Sequence, residues 1–239
     1  ENTLPNDAKG KATNVAANTP PTTKKKDLKS RKELNPTKYP AGSPPQKAPH
    51  YPQPSTKPVA AAMAALMVAA KGGALGLFTS IQRLRATWPD LTQRLAKADI
   101  PLYAQHMDRM NLQTLLQLFR EDRRSALIGT DAVRDGVDVP GDALRMMIYE
   151  RVPWPRPDML FRARSAWQGR DTWTDRITRM KLRQAFGRLI RRADDKGVFV
   201  MLDSRMPTRL ATAFPKDVEI VRCGLAEVIA ETKVFLSEA

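Results

Sequence analysis

From residue 59 onward the sequence predicts an α/β fold of three layers, with helices covering both faces of a mainly parallel sheet. Three observations carry that expectation. Short apolar runs such as ALGLFT (Ala74–Thr79), LRMMIY (Leu144–Tyr149) and GVFVML (Gly197–Leu202) lack the regular polar alternation of a half-exposed strand and suit strands buried on both faces. They alternate with stretches whose apolar residues recur at three- and four-residue steps, the period of an amphipathic helix. Glycine-rich or proline-rich breaks separate the two kinds of segment. In such a sheet, ligands gather beyond the C-terminal ends of the strands.

Residues 1–58 read differently. They hold 11 of the 19 prolines, the run Lys24-Lys25-Lys26, and 11 basic against 4 acidic side chains. So little apolar surface cannot offset the entropy of ordering a chain, so this stretch is expected to be a disordered, basic, Pro/Lys-rich tail. The domain is expected to span 59–239. Ala60–Ala70 reads as a helix, broken by Lys71-Gly72-Gly73, and Ala74–Thr79 as a buried strand. Ile81–Lys97 is helical, with Pro89 expected to kink or split it. Pro101–Gln105 is a short strand, Met107–Phe119 a helix, Ser125–Gly129 a strand and Thr130–Asp142 a loop. Leu144–Tyr149 is another strand, and Pro153–Pro157 must be loop because of its three prolines. Asp158 can cap a helix running to about Trp167. Helix Trp173–Arg192, strand Gly197–Leu202, short helix Met206–Phe214, strand Val218–Arg222 and helix Leu225–Leu236 complete the chain.

Bulk composition narrows the function. A net charge of +15 and a pI near 10.2 favour a polyanionic partner, nucleic acid before membrane. The apolar run Val59–Ala70 is too short to span a bilayer. One cysteine, Cys223, rules out a disulfide framework and a Cys-based iron–sulfur site, and it fits a reducing, cytoplasmic setting. His50 and His106 stand alone, without zinc-site spacing, and there is no GxSxG elbow. Nor does the sequence contain a GxxxxGK[ST] phosphate loop.

The densest functional signal lies in LRQAFGRLIRR, Leu182–Arg192. At about 100° per residue, Lys181, Gln184, Arg188 and Arg191 share one stripe of a helix, while Leu182, Phe186, Leu189 and Ala193 share another roughly 150° away. No acid occurs from Ile177 to Ala193, whereas a merely solvated face usually mixes signs. Paired guanidinium groups suit an anion with several oxygens. Gly187, unfavourable inside a helix, makes sense where a backbone or ligand passes close by.

Three further clusters fall at strand ends. The loop Gly129–Asp142 is rich in Gly and Asp, which fits either a tight multi-turn connection or backbone bent round a ligand. Thr79 and Ser80 can cap the following helix, and a helix N-terminus can also receive phosphate. Pro153–Pro157 is either a rigid packed loop or a surface offering Trp154 for base stacking and Arg156 for phosphate.

The string QAFGRLIRRADDKGVFVMLDSR resembles motif VI of superfamily 2 helicases, in the DinG/XPD branch of DNA helicases. GVDVPGD (Gly136–Asp142) is similar to motif V and LFTS (Leu77–Ser80) to motif IV. The likeness runs from about Val59 to the C-terminus. It implies a RecA-like domain, the second motor lobe of an ATP-dependent 5′-to-3′ DNA helicase acting in repair or replication. It further implies Arg188 and Arg191 as arginine fingers, and Gln184, Gly187, Gly136 and Asp138 at the nucleotide. Nucleic acid would meet Thr79, Ser80, Gln105, Thr130, Trp154 and Arg156. Where many relatives carry an aromatic pair and Glu before the motif V glycine, this chain has Val133, Arg134 and Asp135; Arg134 can replace that contribution with a phosphate contact. The implied cofactors are ATP and Mg²⁺, held mainly by a first, Walker-A lobe absent from this chain. The implied partners are that lobe and single-stranded or forked DNA. A non-enzymatic nucleic-acid-binding module that kept the fold, or a truncated remnant, is the rival reading.

Overall fold

A computed structural model describes residues 10–15, 56–139, 141–156, 158–192 and 195–237. The elements run β1 (Gly10–Val15), α1 (Thr56–Ala69), β2 (Ala74–Leu77), α2 (Ile81–Ala96), β3 (Leu102–Ala104), α3 (Leu112–Glu121), β4 (Ala126–Gly129), α4 (Asp131–Gly136), β5 (Met146–Tyr149), α5 (Met159–Gln168), α6 (Arg170–Leu189), β6 (Gly197–Met201), β7 (Glu219–Cys223) and α7 (Leu225–Ser237). The strands form one sheet in the order β3-β4-β2-β5-β6-β1-β7, and each neighbouring pair is parallel.

The period of two along each strand sorts the core into two layers. Leu75, Leu77, Leu127, Met147, Tyr149 and Phe199 face α3, α4 and α6. Ala74, Ala126, Ile128, Met146, Ile148, Val198 and Val200 face α1, α2 and α7. The first layer centres on Phe199, whose ring packs 5.7 Å from Tyr149, 6.3 Å from Phe186 and 5.2 Å from Phe214. Gly76 lets α1 approach the sheet, since a Cβ there would lie 3.1 Å from the Met67 methyl. The turn after α1 needs glycine outright: Gly72 has φ +83°, and a Cβ would fall 2.2 Å from the Arg124 carbonyl oxygen.

The three-layer α/β expectation holds, and the differences are local. Pro89 does not split α2; it is exposed, on the side where water can take the carbonyl it leaves unpaired. The helix expected from Met107 starts at Leu112, where the Asn111 side chain caps the Thr114 N–H at 2.8 Å. The loop Thr130–Asp142 contains α4 and a 3₁₀ turn at Gly141–Ala143, and the helix expected over Met206–Phe214 is 3₁₀, Thr208–Ala213. Helix α6 ends at Leu189 rather than Arg192, because the Asp195 carboxylate takes the Arg191 and Arg192 N–H groups, both at 2.8 Å. The expected tail meets the fold twice: Thr56–Pro58 open α1, and Gly10–Val15 lies between β6 and β7, Ala12 opposite both Phe199 and Ile220. A strand paired on both edges is held by its backbone ladder, so a polar sequence suffices. The rest of the expected tail, with His50, lies outside the described residues.

Candidate nucleotide and nucleic-acid site

The parallel sheet brings the chain exits from β2, β4, β5 and β6 to one edge. Glu150, the first residue after β5, is 1% exposed. Its carboxylate accepts from the Thr79 hydroxyl at 2.6 Å and the Thr79 N–H at 3.3 Å, and it pairs with Arg83 Nε at 2.6 Å. Arg151 lies 3.8 Å from the same carboxylate; burial, reinforced by Arg83, lowers its pKa, with Glu150 opposing. Ser80 caps α2 by accepting from the Arg83 N–H at 3.2 Å. Asp203, beyond β6, accepts from the Val152 N–H at 3.3 Å and from Arg205 Nε at 3.3 Å. Thr79 and Ser80 are therefore both half-buried and already engaged within the domain.

The β4 exit is arranged in the same way. Gln105, 8% exposed, accepts from the Thr130 N–H at 2.9 Å and from its hydroxyl at 3.0 Å. Gly129 makes room for this contact: a Cβ there would fall 2.1 Å from Val133 and 3.0 Å from the Gln105 Oε1 atom. Sequence reasoning paired neither Thr79 with Glu150 nor Gln105 with Thr130.

Arg134 requires a correction. It is 5% exposed, and its guanidinium is held by Asp131 at 3.1 Å and by Asp135 at 2.8 Å. Burial opposes its charge, but Tyr149 and the two aspartates outweigh that and raise its pKa above the usual guanidinium value. Burial likewise pushes the Tyr149 phenol far above its ordinary range, with Arg134 pulling the other way. In this arrangement Arg134 is buried and held by two carboxylates of its own helix, and it is not presented to a phosphate. Its position was unreadable because a short helix, not a loop, carries it inward.

Around the end of α6, Leu182, Ala185, Phe186 and Leu189 are buried. Gln184 is exposed and Arg188 half-buried. Arg188 Nη2 donates to the Asp135 carbonyl at 3.1 Å. Arg191, past the helix end, donates to the Val137 carbonyl at 3.1 Å and pairs with the Asp138 carboxylate. Two guanidinium groups thus converge on residues 135–138, one from the last turn of α6 and one from the segment that follows, rather than from one helical stripe. Lys181, placed on that stripe from its spacing, is paired with Asp131 at 2.9 Å. Gly136 is exposed, with Leu116 3.2 Å from where its Cβ would lie. A Cβ at Gly187 would meet nothing within 4 Å, so packing inside the domain does not demand this glycine. Two rim guanidinium groups beside open space fit a polyphosphate. Among the described residues no group of His, Cys, Asp or Glu could hold a metal ion.

Thr79, Thr130, Trp154 and Arg156 share one open cleft of about 510 Å³. Its other wall is built by α5, capped by Asp158 accepting from the Phe161 N–H at 2.7 Å, and by α6. Trp173 lines this wall, with the Arg164 guanidinium 5.8 Å from its ring centre. Ser80 and Gln105 do not line the cleft. Trp173 and Arg164 were missed; WxxxxxW at Trp167–Trp173 was a visible signal, but nothing in it tells which indole faces the strand ends.

The family model described as "Helicase C-terminal domain" matches residues 63–219. The ATP-dependent helicase DinG of Mycobacterium tuberculosis is 38% identical over 153 residues, which is 61% of this chain and 22% of that protein. The ATP-dependent DNA helicase YoaA of Escherichia coli is 33% identical over 165 residues, 65% of this chain and 25% of that protein. The chain therefore spans about a quarter or less of the length of these relatives. Among solved structures, an XPD helicase superposes with a TM-score of 0.53 at 17% identity, over 70% of this chain and 32% of that one. Saccharomyces cerevisiae Dbp5 bound to RNA and ADP BeF3 gives 0.56 at 14% identity, over 96% and 46%. These superpositions establish the RecA-like fold, and the family-model match over residues 63–219, together with the DinG and YoaA relatives, establishes that the chain belongs to the helicase C-terminal domain family of DinG/XPD-like helicases.

Proposed function

We propose that this chain is the second motor lobe of an ATP-dependent DNA helicase of the DinG type, in which Arg188 and Arg191 act as arginine fingers on a nucleotide bound chiefly by a first lobe. The observation that carries this is the meeting of Arg188 and Arg191 at residues 135–138, which brings the motif VI-like and motif V-like segments to one rim. When bound between two lobes, ATP supplies the phosphoryl transfer that drives movement. The guanidinium groups stabilise the charge that develops on that group, Arg188 by leaving a backbone carbonyl and Arg191 by leaving Asp138. Gln184 and Gly187 line the approach from α6, and Gly136 and Asp138 the approach from α4. In this reading Mg²⁺ is held by the first lobe together with the phosphate loop.

On the other side, Thr79 and Thr130, held by Glu150 and Gln105, form the polar floor for a strand of DNA, with Trp154 and Arg156 at its edge and Ser80 capping α2. Lobe opening and closing moves the two lobes along that strand in the 5′-to-3′ direction, in the cytoplasm, in repair or replication. The test is DNA-stimulated ATP hydrolysis by the chain alone and by the chain with a Walker-A lobe. Turnover only in the combined sample supports the proposal. Single-stranded DNA binding with no turnover in either sample supports the rival, a nucleic-acid-binding module, to which the net charge of +15 is equally suited.

A further inference from the structure

The edge of the sheet opposite the motor site carries a groove that the proposed function leaves unused. Lys71 precedes β2 and Arg145 precedes β5, so both lie at the N-terminal ends of the strands, and the last turns of α1 and α7 reach the same edge. The groove holds about 340 Å³, room for a few side chains rather than for a folded domain. Its apolar part is aliphatic: Val68 on α1, 40% exposed, with Leu236 and the 58% exposed Val234 on α7. Its charged part is cationic, for Lys71, Arg145 and Lys233 line it and no carboxylate does. Among the described residues no carboxylate pairs with any of the three. Arg145 Nη2 donates to the Lys71 carbonyl at 3.1 Å, but its buried Nε donates to no described atom, so the domain itself uses only part of this guanidinium. Cations suit the C-terminal ends of helices, yet that role accounts for neither the exposed valines nor the unused donor. No aromatic ring lines the groove, so a nucleobase finds nothing to stack on. Aliphatic surface left in water beside unpaired cations is complementary to a chain segment that joins aliphatic side chains to carboxylates.

We propose that this groove docks a short acidic segment of a partner protein, its aliphatic side chains seated against Val68, Val234 and Leu236 and its carboxylates on Lys71, Arg145 and Lys233. The dock lies across the sheet from the rim arginines, so it does not depend on the motor reading, and a partner held there leaves the C-terminal ends of the strands free.

The test measures binding of the full chain to three labelled hexapeptides: two leucines flanked on each side by two aspartates, the same peptide with serine for leucine, and the same with lysine for aspartate. A chain of net charge +15 attracts any anion, so the preference for leucine over serine, rather than binding itself, reports the groove. Expected is tighter binding of the aspartate–leucine peptide than of either control. Lys233→Glu should weaken it about tenfold by setting like charges together, and Val234→Ser about fivefold by removing apolar contact. Both residues are exposed near the end of α7, so neither change should move the denaturation midpoint. Should Val234→Ser disturb α7, Val68→Ser on the opposite wall takes its place. Equal affinity for the leucine and serine peptides, no binding of either, or a preference that no change in the groove moves, overturns the dock. So does displacement of the peptide by an oligothymidylate whose own affinity falls in Lys233→Glu but not in Val234→Ser, since that pattern marks this edge as a nucleic-acid contact. None of these outcomes touches ATP turnover, which tests the motor reading separately.

Discussion

The strand-tip interior and the rim at the end of α6 are both rich in arginine, yet they use it in opposite ways. At the strand tips, Arg83 is tied to the fully buried Glu150 carboxylate, and Arg134 is enclosed by Asp131 and Asp135. At the rim, Arg188 and Arg191 rest on backbone carbonyls and on Asp138, whose side chain is 67% exposed. A buried cation with a carboxylate partner is costly to disturb, because removing either leaves an uncompensated charge. A rim cation on an exposed partner exchanges it for a phosphate at little cost. The first region fixes the shape of the site, and the second remains available to a ligand.

Mutations that sharpen this contrast range from large to small in their effect on stability. Glu150→Ala strips Arg83 and Thr79 of their common acceptor and is expected to destabilise the domain by about 3–5 kcal/mol, measured by chemical denaturation. Phe186→Ala, which opens a cavity against Phe199 and Phe214, belongs to the same class at about 3–5 kcal/mol. Deleting residues 1–17 removes β1 from between β6 and β7 and should lower the thermal midpoint by more than about 4 °C, the scale of a loss above 1 kcal/mol in a domain of this size. An unchanged midpoint would show that the sheet does not need that strand. Arg188→Ala, at the rim, should shift stability by no more than about 0.5 kcal/mol; a loss as large as that of Glu150→Ala would erase the distinction between the two regions.

Much of this architecture was legible because it depends on local pattern. Apolar runs announced β2, β4, β5 and β6, and the apolar stripe Leu182, Phe186, Leu189 identified the buried face of α6. The site was legible in part, through the spacing of Arg188 and Arg191 and through strand-end positions such as Thr130 and Trp154. What escaped depends on groups distant in the chain. Helical periodicity carried Arg191 onto α6, but Asp195 ends the helix first. Glu150 resembles any polar residue after a strand until Thr79 and Arg83 meet it, 71 and 67 residues away. Strand β1 has no apolar run of its own and exists only where two other strands flank it. Arg134 seemed open to a phosphate because its loop gave no sign of folding inward.

The central claim is that the rim arginines act on a nucleotide shared with another lobe. Its most direct test is DNA-stimulated ATP turnover by Arg188→Ala in a reconstruction with a Walker-A lobe, alongside Arg188→Lys. The expected result is a fall of roughly 10³-fold or more for alanine and little rescue by lysine, which keeps the charge but loses the planar fork, with the denaturation midpoint unmoved in both. Undiminished turnover in Arg188→Ala would contradict the assignment and leave the rim a solvated face.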